Sequence, residues 1–471
     1  MTRRLAATLA CALALAVPAV APAQAPAHAP ESVAETFSPD RLNAYVLDIE
    51  AALARAQAAE GVIPQSAADA ITRAAVPEAV PAEALAAEYD IVRHRMVAFL
   101  NVFSRALEPE VADWLHYGAT TVDIYDTARV LQVRHAILLT IEDLREIELQ
   151  LIELAEAHRD TPMIGRTLGQ HALPITFGKK VSGWIGENRR HIDRLADLLE
   201  RVERSAIMKG AVGSYAGLGD RAQAVERRFS AELGLGEPYP DDWHASRDVF
   251  AEYAADLGLL ARFYGRVGQE IFLLQSTDIA EVVERRSGTA VGSSTMPHKN
   301  NPSLSEALIQ YSRTIPRLAE VVGDDMINMF ERDNTSRPNA VIGEISVETE
   351  SMLSAASRLI ARLEVDPDAM RRNLDRSGGW ILSQRFVFAL APHIGRTEAE
   401  ELVREMAREA HESGASLREA VMAREAIGAA LDEEEIDRLL DPTTYLGLAA
   451  QQVDAVADAA RAARDADPVT P

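Results

Sequence analysis

Residues 122–158 read VDIYDTARVLQVRHAILLTIEDLREIELQLIELAEAH. Leu131, Ile137, Leu138, Ile141, Leu144, Leu151 and Leu154 recur at helical spacing and make one wide apolar stripe. Thr120 and Asp123 fit a variant capping box, which places an acid in the positive first turn, and Pro162 follows the far end. The spacing predicts a single helix over 122–158, far longer than the average in a globular domain. A stripe that wide needs neighbouring helices to cover it, so the chain reads as a bundle with further packing between subunits.

The same periodicity covers about 175–204, 244–283, 303–330 and 342–363. Upstream, Leu42, Val46, Ile49, Ala52 and Leu53 mark a helix that begins near Pro39 and stops at Gly61. From about Asp366 the helices shorten between SGGW, ESGAS and LDPTTYLG. Alternating strand patterns are scarce, and no internal repeat is present. The expected fold is all-α, a long-helix bundle over 111–364 with smaller helical domains at 26–110 and 365–471.

Composition agrees, since Ala, Leu, Glu and Arg dominate and aromatics are only 5%. The net charge of −24 argues against a nucleic-acid partner, because phosphate would be repelled. A small anion can still bind where cations are focused. The chain has only four lysines, Lys179, Lys180, Lys209 and Lys299, so a lysine inside a motif carries weight. Arg3 and Arg4, an apolar run from Leu5 to Ala21 and Ala23-Gln24-Ala25 follow the order of a secretory signal peptide over 1–25. A periplasmic or secreted location is therefore expected, with no membrane contact in the mature form. The single cysteine, Cys11, lies in that segment, so the mature chain would carry no disulfide and no cysteine-based zinc site.

Residues 288–310, GTAVGSSTMPHKNNPSLSEALIQ, stand apart from the helices. Two glycines and adjacent hydroxyl residues make a flexible loop, and Asn301-Pro302 reads as cap and first position of a helix. Free N–H groups at a helix start attract anions, and Lys299 adds a full positive charge. A serine hydroxyl there could lose its proton more easily than in water. An exposed linker explains the same composition, so the residues alone leave both readings open.

The run Gly292–Asn301 resembles the G-S-S-x-M-P-x-K-x-N signature of the fumarase/aspartase superfamily. Its members include fumarase, aspartase, argininosuccinate lyase, adenylosuccinate lyase and 3-carboxy-cis,cis-muconate cycloisomerase. The resemblance makes 286–302 the catalytic loop. It implies Ser293 as general base, with Ser294, Lys299 and Asn301 on the substrate; His298 falls at a variable position of the pattern. A second block, His116 to Ala128, resembles H-x-G-x-T-S-x-D-x-x-D-T-A, and implies substrate contacts at His116, Thr120 and Thr121. A third, Gly165 to Pro174, resembles G-R-T-H-x-Q-x-A-x-P, with Thr167 and Gln170 at substrate-binding positions. Leu168 stands where most members carry a histidine, which in the adenylosuccinate branch is the general acid. The cycloisomerase branch also lacks that histidine. His171 is either a substitute acid or a structural residue.

Smaller matches extend the similarity over roughly 38–455. His94 falls in a block resembling R-H-D-V-V-A-F, with Arg95 in place of the aspartate, and Arg332 falls in a substrate-side E-R-D block. Trp243, His244, Arg247 and Asp248 resemble a W-H-x-x-R-D block of the cycloisomerase branch. The resemblance implies a homotetramer with active sites shared between subunits. It implies no cofactor, and HExxH, GxSxG and P-loop patterns are absent. The expected reaction is base-catalysed anti elimination, or the reverse addition, on a di- or tricarboxylate, as in the cycloisomerase. The alternatives are a C–N lyase of adenylosuccinate or argininosuccinate type, and a non-catalytic structural homologue.

Overall fold

The computed structural model describes residues 30–469 except 242, 287, 289–294, 297 and 334–337. The expected signal segment lies outside the described residues. Helix α1 (Pro39–Ala59) starts where the Ser38 hydroxyl accepts the Arg41 N–H at 3.2 Å and Pro39 takes the first position. Helix α2 (Thr121–Ala157) runs unbroken for 37 residues, which is about 55 Å. Its capping box forms as expected, with the Thr120 N–H donating to Asp123 at 3.0 Å. The stripe read from the sequence is buried, apart from the half-buried Leu154. Each such side chain removed from water contributes roughly 1.5–3 kcal/mol.

A hairpin of β1 (Pro162–Thr167) and β2 (Gln170–Thr176) reverses the chain into α3 (Phe177–Glu203). Helix α4 (Asp248–Leu274) returns, and strand β3 (Val282–Glu284) leads toward α5 (Ser303–Gly323). Helix α6 (Pro338–Ala361) runs back to β4 (Leu363–Val365), which pairs antiparallel with β3. Helices α2 to α6 thus form an up-and-down bundle, with α1 packed on α2. Helices α4 and α5 approach closely at glycines: a Cβ on Gly268 would stand 2.8 Å from the Leu308 Cβ. Downstream, α7 (Ser383–Ile394), α8 (Arg396–Ser413) and their neighbours surround a second apolar cluster, and α9 (Ala449–Ala463) lies on α3. Ile164 of β1 is buried in that second cluster, so the hairpin is clamped by both parts of the chain.

Two helical expectations overshoot. The 244–283 pattern stops at Leu274, because the chain turns through Ala280, in the left-handed region at φ 52°, and re-enters as β3. The 303–330 pattern stops at Gly323 and continues as a 3-10 turn over Asp324–Met326. The hairpin has no counterpart in the sequence reading. Its turn residues, Leu168 at φ 51° and Gly169 at φ 74°, are both left-handed, as a two-residue type I′ turn requires. No described helix is long and apolar enough to cross a membrane.

Candidate active site

One end of the bundle gathers the starts of α2 and α4 and the end of α5. Asp123, fully buried on α2, accepts the N–H groups of Thr120, Lys209 and Gly210 at 3.0, 3.1 and 2.9 Å, and the Trp243 indole N–H at 3.3 Å. Burial pushes its carboxyl up to about 6 even against these donors. The network fixes Thr120 and Thr121 at the helix start. Beside them His116 sits in the left-handed region at φ 59°, and its Nδ1 lies 2.7 Å from Glu50 of α1. His94 caps the short helix Arg95–Ser104 by accepting the Val97 N–H at 3.3 Å. Arg247, at the start of α4, joins Asp126 of α2 to Asp325 at 2.8 Å each, and His244 Nδ1 meets Asp126 at 2.5 Å. The exposed Arg332 follows Asp325 on the segment that leaves this end.

The other end carries the hairpin and the stems of the loop. Thr167, Leu168 and Gln170 are exposed at the hairpin tip, and Leu168 is fully exposed. Arg166 binds the buried Glu281 through two hydrogen bonds of 2.9 and 2.7 Å, and Asn373 adds a third at 2.8 Å. His171, paired across the hairpin with Arg166, is pulled below its ordinary value by burial and by the Arg166 charge. Burial and the Arg166 charge thus disfavour the protonated form that a substitute acid would need.

Ser293 and Ser294 lie outside the described residues. Lys299 and Asn301 are exposed on the stem between them and α5. That stem is anchored at Asn300, which accepts from Arg286 at 2.5 Å, donates to the Glu284 carbonyl at 2.9 Å and receives Gln275 at 3.2 Å. The expected helix start is corrected here. Helix α5 begins at Ser303 after Pro302, and Asn301 is not its cap. Its first-turn N–H groups on Leu304 and Ser305 are taken by the Glu284 carboxylate at 3.1 and 3.0 Å, so those two donors are not free for an anion.

The expected site residues therefore fall into two groups. His94, His116, Thr120, Thr121 and Arg332 belong to one end; Thr167, Gln170, His171, Lys299 and Asn301 belong to the other. The length of α2, 37 residues or about 55 Å, separates them within one chain. Glu50, Glu281 and Glu284 hold the site's elements in place and were not singled out in the sequence. Glu50 is on a regular helix, and the two others lie where the sequence predicted helix 244–283 to end or pass on into loop. No motif marks any of them. Among the described residues no group of His, Cys, Asp and Glu is arranged to hold a metal ion.

Residues 28–316 match a family described as Lyase, and residues 379–456 match one described as Adenylosuccinate lyase C-terminus. The chain is 35% identical to the N-acetyl-S-(2-succino)cysteine lyase of Enterococcus italicus, over 87% of this chain and 90% of that one. It is 38% identical to the 3-carboxy-cis,cis-muconate cycloisomerase of Pseudomonas aeruginosa, over 86% and 89%. Among solved structures, the 3-carboxy-cis,cis-muconate lactonizing enzyme from Pseudomonas putida superimposes with a TM-score of 0.84 at 35% identity, over 91% of this chain and 97% of that one.

Proposed function

This chain belongs to the lyase family of the fumarase/aspartase superfamily, and on that premise we propose that it catalyses anti elimination, or the reverse addition, with a weakly basic oxyanion as the group that leaves or attacks. The substrate class is a small di- or tricarboxylate of the carboxymuconate type. The observation that carries this reading is Leu168, fully exposed between Thr167 and Gln170 at the hairpin tip. Leucine transfers no proton. A carboxylate departs readily unprotonated, because its conjugate acid has a pKa near 4, whereas an amine leaving group needs a proton from the enzyme. Burial and the Arg166 charge disfavour the protonated form of His171, which argues against it as a replacement donor. The C–N lyase alternative is thus not favoured.

In this reading Ser293 removes the proton next to a substrate carboxylate. The resulting aci-carboxylate concentrates negative charge, so donors must already point where that charge develops. Lys299, Asn301 and Ser294 are assigned to that carboxylate; Thr120, Thr121, Thr167, Gln170, His94, His116 and Arg332 surround the rest of the substrate. The test is a panel of carboxymuconates and substituted succinates, assayed for loss or formation of the alkene. Turnover of a carboxymuconate or another oxygen-linked substrate is expected; turnover confined to adenylosuccinate or argininosuccinate would overturn the reading, and none at all would favour the structural homologue.

A site drawn from both ends of the bundle needs more than one chain. We assign the protein a homotetramer with shared active sites, supported by that separation and by exposed Leu259, Phe272 and Leu273 on α4. Sedimentation at micromolar concentration should give a tetramer of the 51.3 kDa chain, less any excised leader; monomer alone would contradict the assignment. Export rests on the signal-like order of residues 1–25, which N-terminal sequencing of the secreted protein checks.

A further inference from the structure

We propose that Glu50 is a positioning residue for this site, holding the His116 ring by Nδ1 so that Nε2 is left as the donor to an anionic substrate. The inference rests on the reading above, in which His116 contacts substrate. Glu50 lies on α1, and its side chain is 0% exposed; the His116 side chain is 14% exposed. The Nδ1···Oε1 distance is 2.7 Å, and Nε2 makes no hydrogen bond among the described residues. Gln57, two turns further along the same face of α1, donates to the Tyr117 carbonyl at 2.5 Å. Helix α1 therefore grips two consecutive residues of the turn. On its other side Gly118, at φ 72°, packs against Leu218 and Gly217.

Three features say that this grip has a purpose beyond packing. His116 is held in the left-handed region, a conformation that costs a non-glycine residue on the order of 1 kcal/mol and is kept where the surroundings demand it. The second carboxylate oxygen of Glu50 is buried with no hydrogen-bond partner among the described residues. A buried carboxylate so poorly solvated is tolerable chiefly opposite a cation. Burial alone would push the His116 imidazole down, but the hydrogen bond and charge of Glu50, with Asp123, outweigh it and the net direction is up. Those two are the charged groups acting on His116. Lys209 and Tyr215, on the glycine-rich turn facing Gly118, are instead directed to Glu226. A protonated His116 with a fixed ring is suited to holding a carboxylate.

The test uses the full-length protein labelled with 13C-histidine, with the His116 resonance identified by its loss in His116→Asn. Wild-type His116 should titrate above the ordinary histidine range, and saturating fumarate should shift its signal. Glu50→Gln, which keeps the shape and removes the charge, should lower the titration and weaken fumarate binding about tenfold at neutral pH. Glu50→Asp should restore part of both, a rescue that a purely structural role would not produce in the titration. The proposal is overturned if Glu50→Gln leaves the His116 titration in place, or if fumarate binds equally well after that titration has dropped. It is overturned equally if fumarate binds the wild type without perturbing His116. Wild-type turnover on the substrate panel is scored separately, so a failed reaction assignment is distinguishable from a failed pairing.

Discussion

Ser293→Ala should lower turnover about a thousandfold on whichever carboxylate substrate the panel identifies. The proton to be removed is only weakly acidic, because the neighbouring carboxylate already carries charge. Elimination therefore depends on a base within reach of it. In the proposed reading that base is Ser293 of the G-S-S-x-M-P-x-K-x-N run, and Lys299, six residues on and exposed on the stem, is the cation that would favour its alkoxide. As the proposed base, Ser293 would act on the reacting proton rather than bind the rest of the substrate, so KM is expected to change far less than kcat. Steady-state rates on purified protein of equal thermal stability make the comparison. Near-wild-type turnover would remove Ser293 from the reaction.

Arg247→Met should destabilise the folded chain by about 3–5 kcal/mol, the range for removing one partner of a buried ionic network. The Arg247 side chain is 2% exposed and carries both Asp126 and Asp325. Methionine fills much of the space but removes the cation that Asp126 and Asp325 share. The pH dependence distinguishes this from lost packing. Burial pushes the Asp126 carboxyl up, but the Arg247 charge and the His244 hydrogen bond outweigh it, so the native carboxyl lies below its ordinary value. Such a group contributes stability that is present above its unfolded value near 4 and is lost as pH falls through the folded value. The variant lacks the charge that holds the Asp126 carboxyl down, so it has less of this stability to lose. The difference in unfolding midpoint from wild type should therefore narrow as pH falls through about 4 and below. A gap that stays constant would place the loss in packing alone.

The long helices were legible because their stripes are continuous. Leu131 through Leu151 on α2 read as buried, and they are. Helix ends were legible only where local chemistry marks them, as with Ser38 and Pro39 or Thr120 and Asp123. Past Leu274 the apolar residues Ile279, Val282 and Val283 prolong the pattern, yet they belong to a turn and a strand whose partner is Leu363–Val365. The hairpin tip was obscured for another reason: a type I′ turn usually advertises itself with Asn-Gly or Asp-Gly, and here a leucine holds the first left-handed position. Candidate site residues could be named from the sequence only where a motif carries them. Glu50 and Glu284 were not, because their partners His116 and Ser305 lie on other elements and only the folded chain brings them together. The Asn301 cap was misread on that account, since nothing local to residues 300–305 reveals that a carboxylate from β3 already occupies the first turn.

Ile164 has a bearing on when the enzyme becomes competent during synthesis. It stands two residues before Arg166 in the strand that presents Thr167, yet its apolar neighbours, from Leu374 to Leu439, are added far later. A nascent chain that has completed all the bundle helices still holds that strand without its seat. The hairpin can be set firmly only after the carboxyl-terminal quarter has emerged and docked, so unfinished chains would be kept from premature chemistry by the order of translation itself.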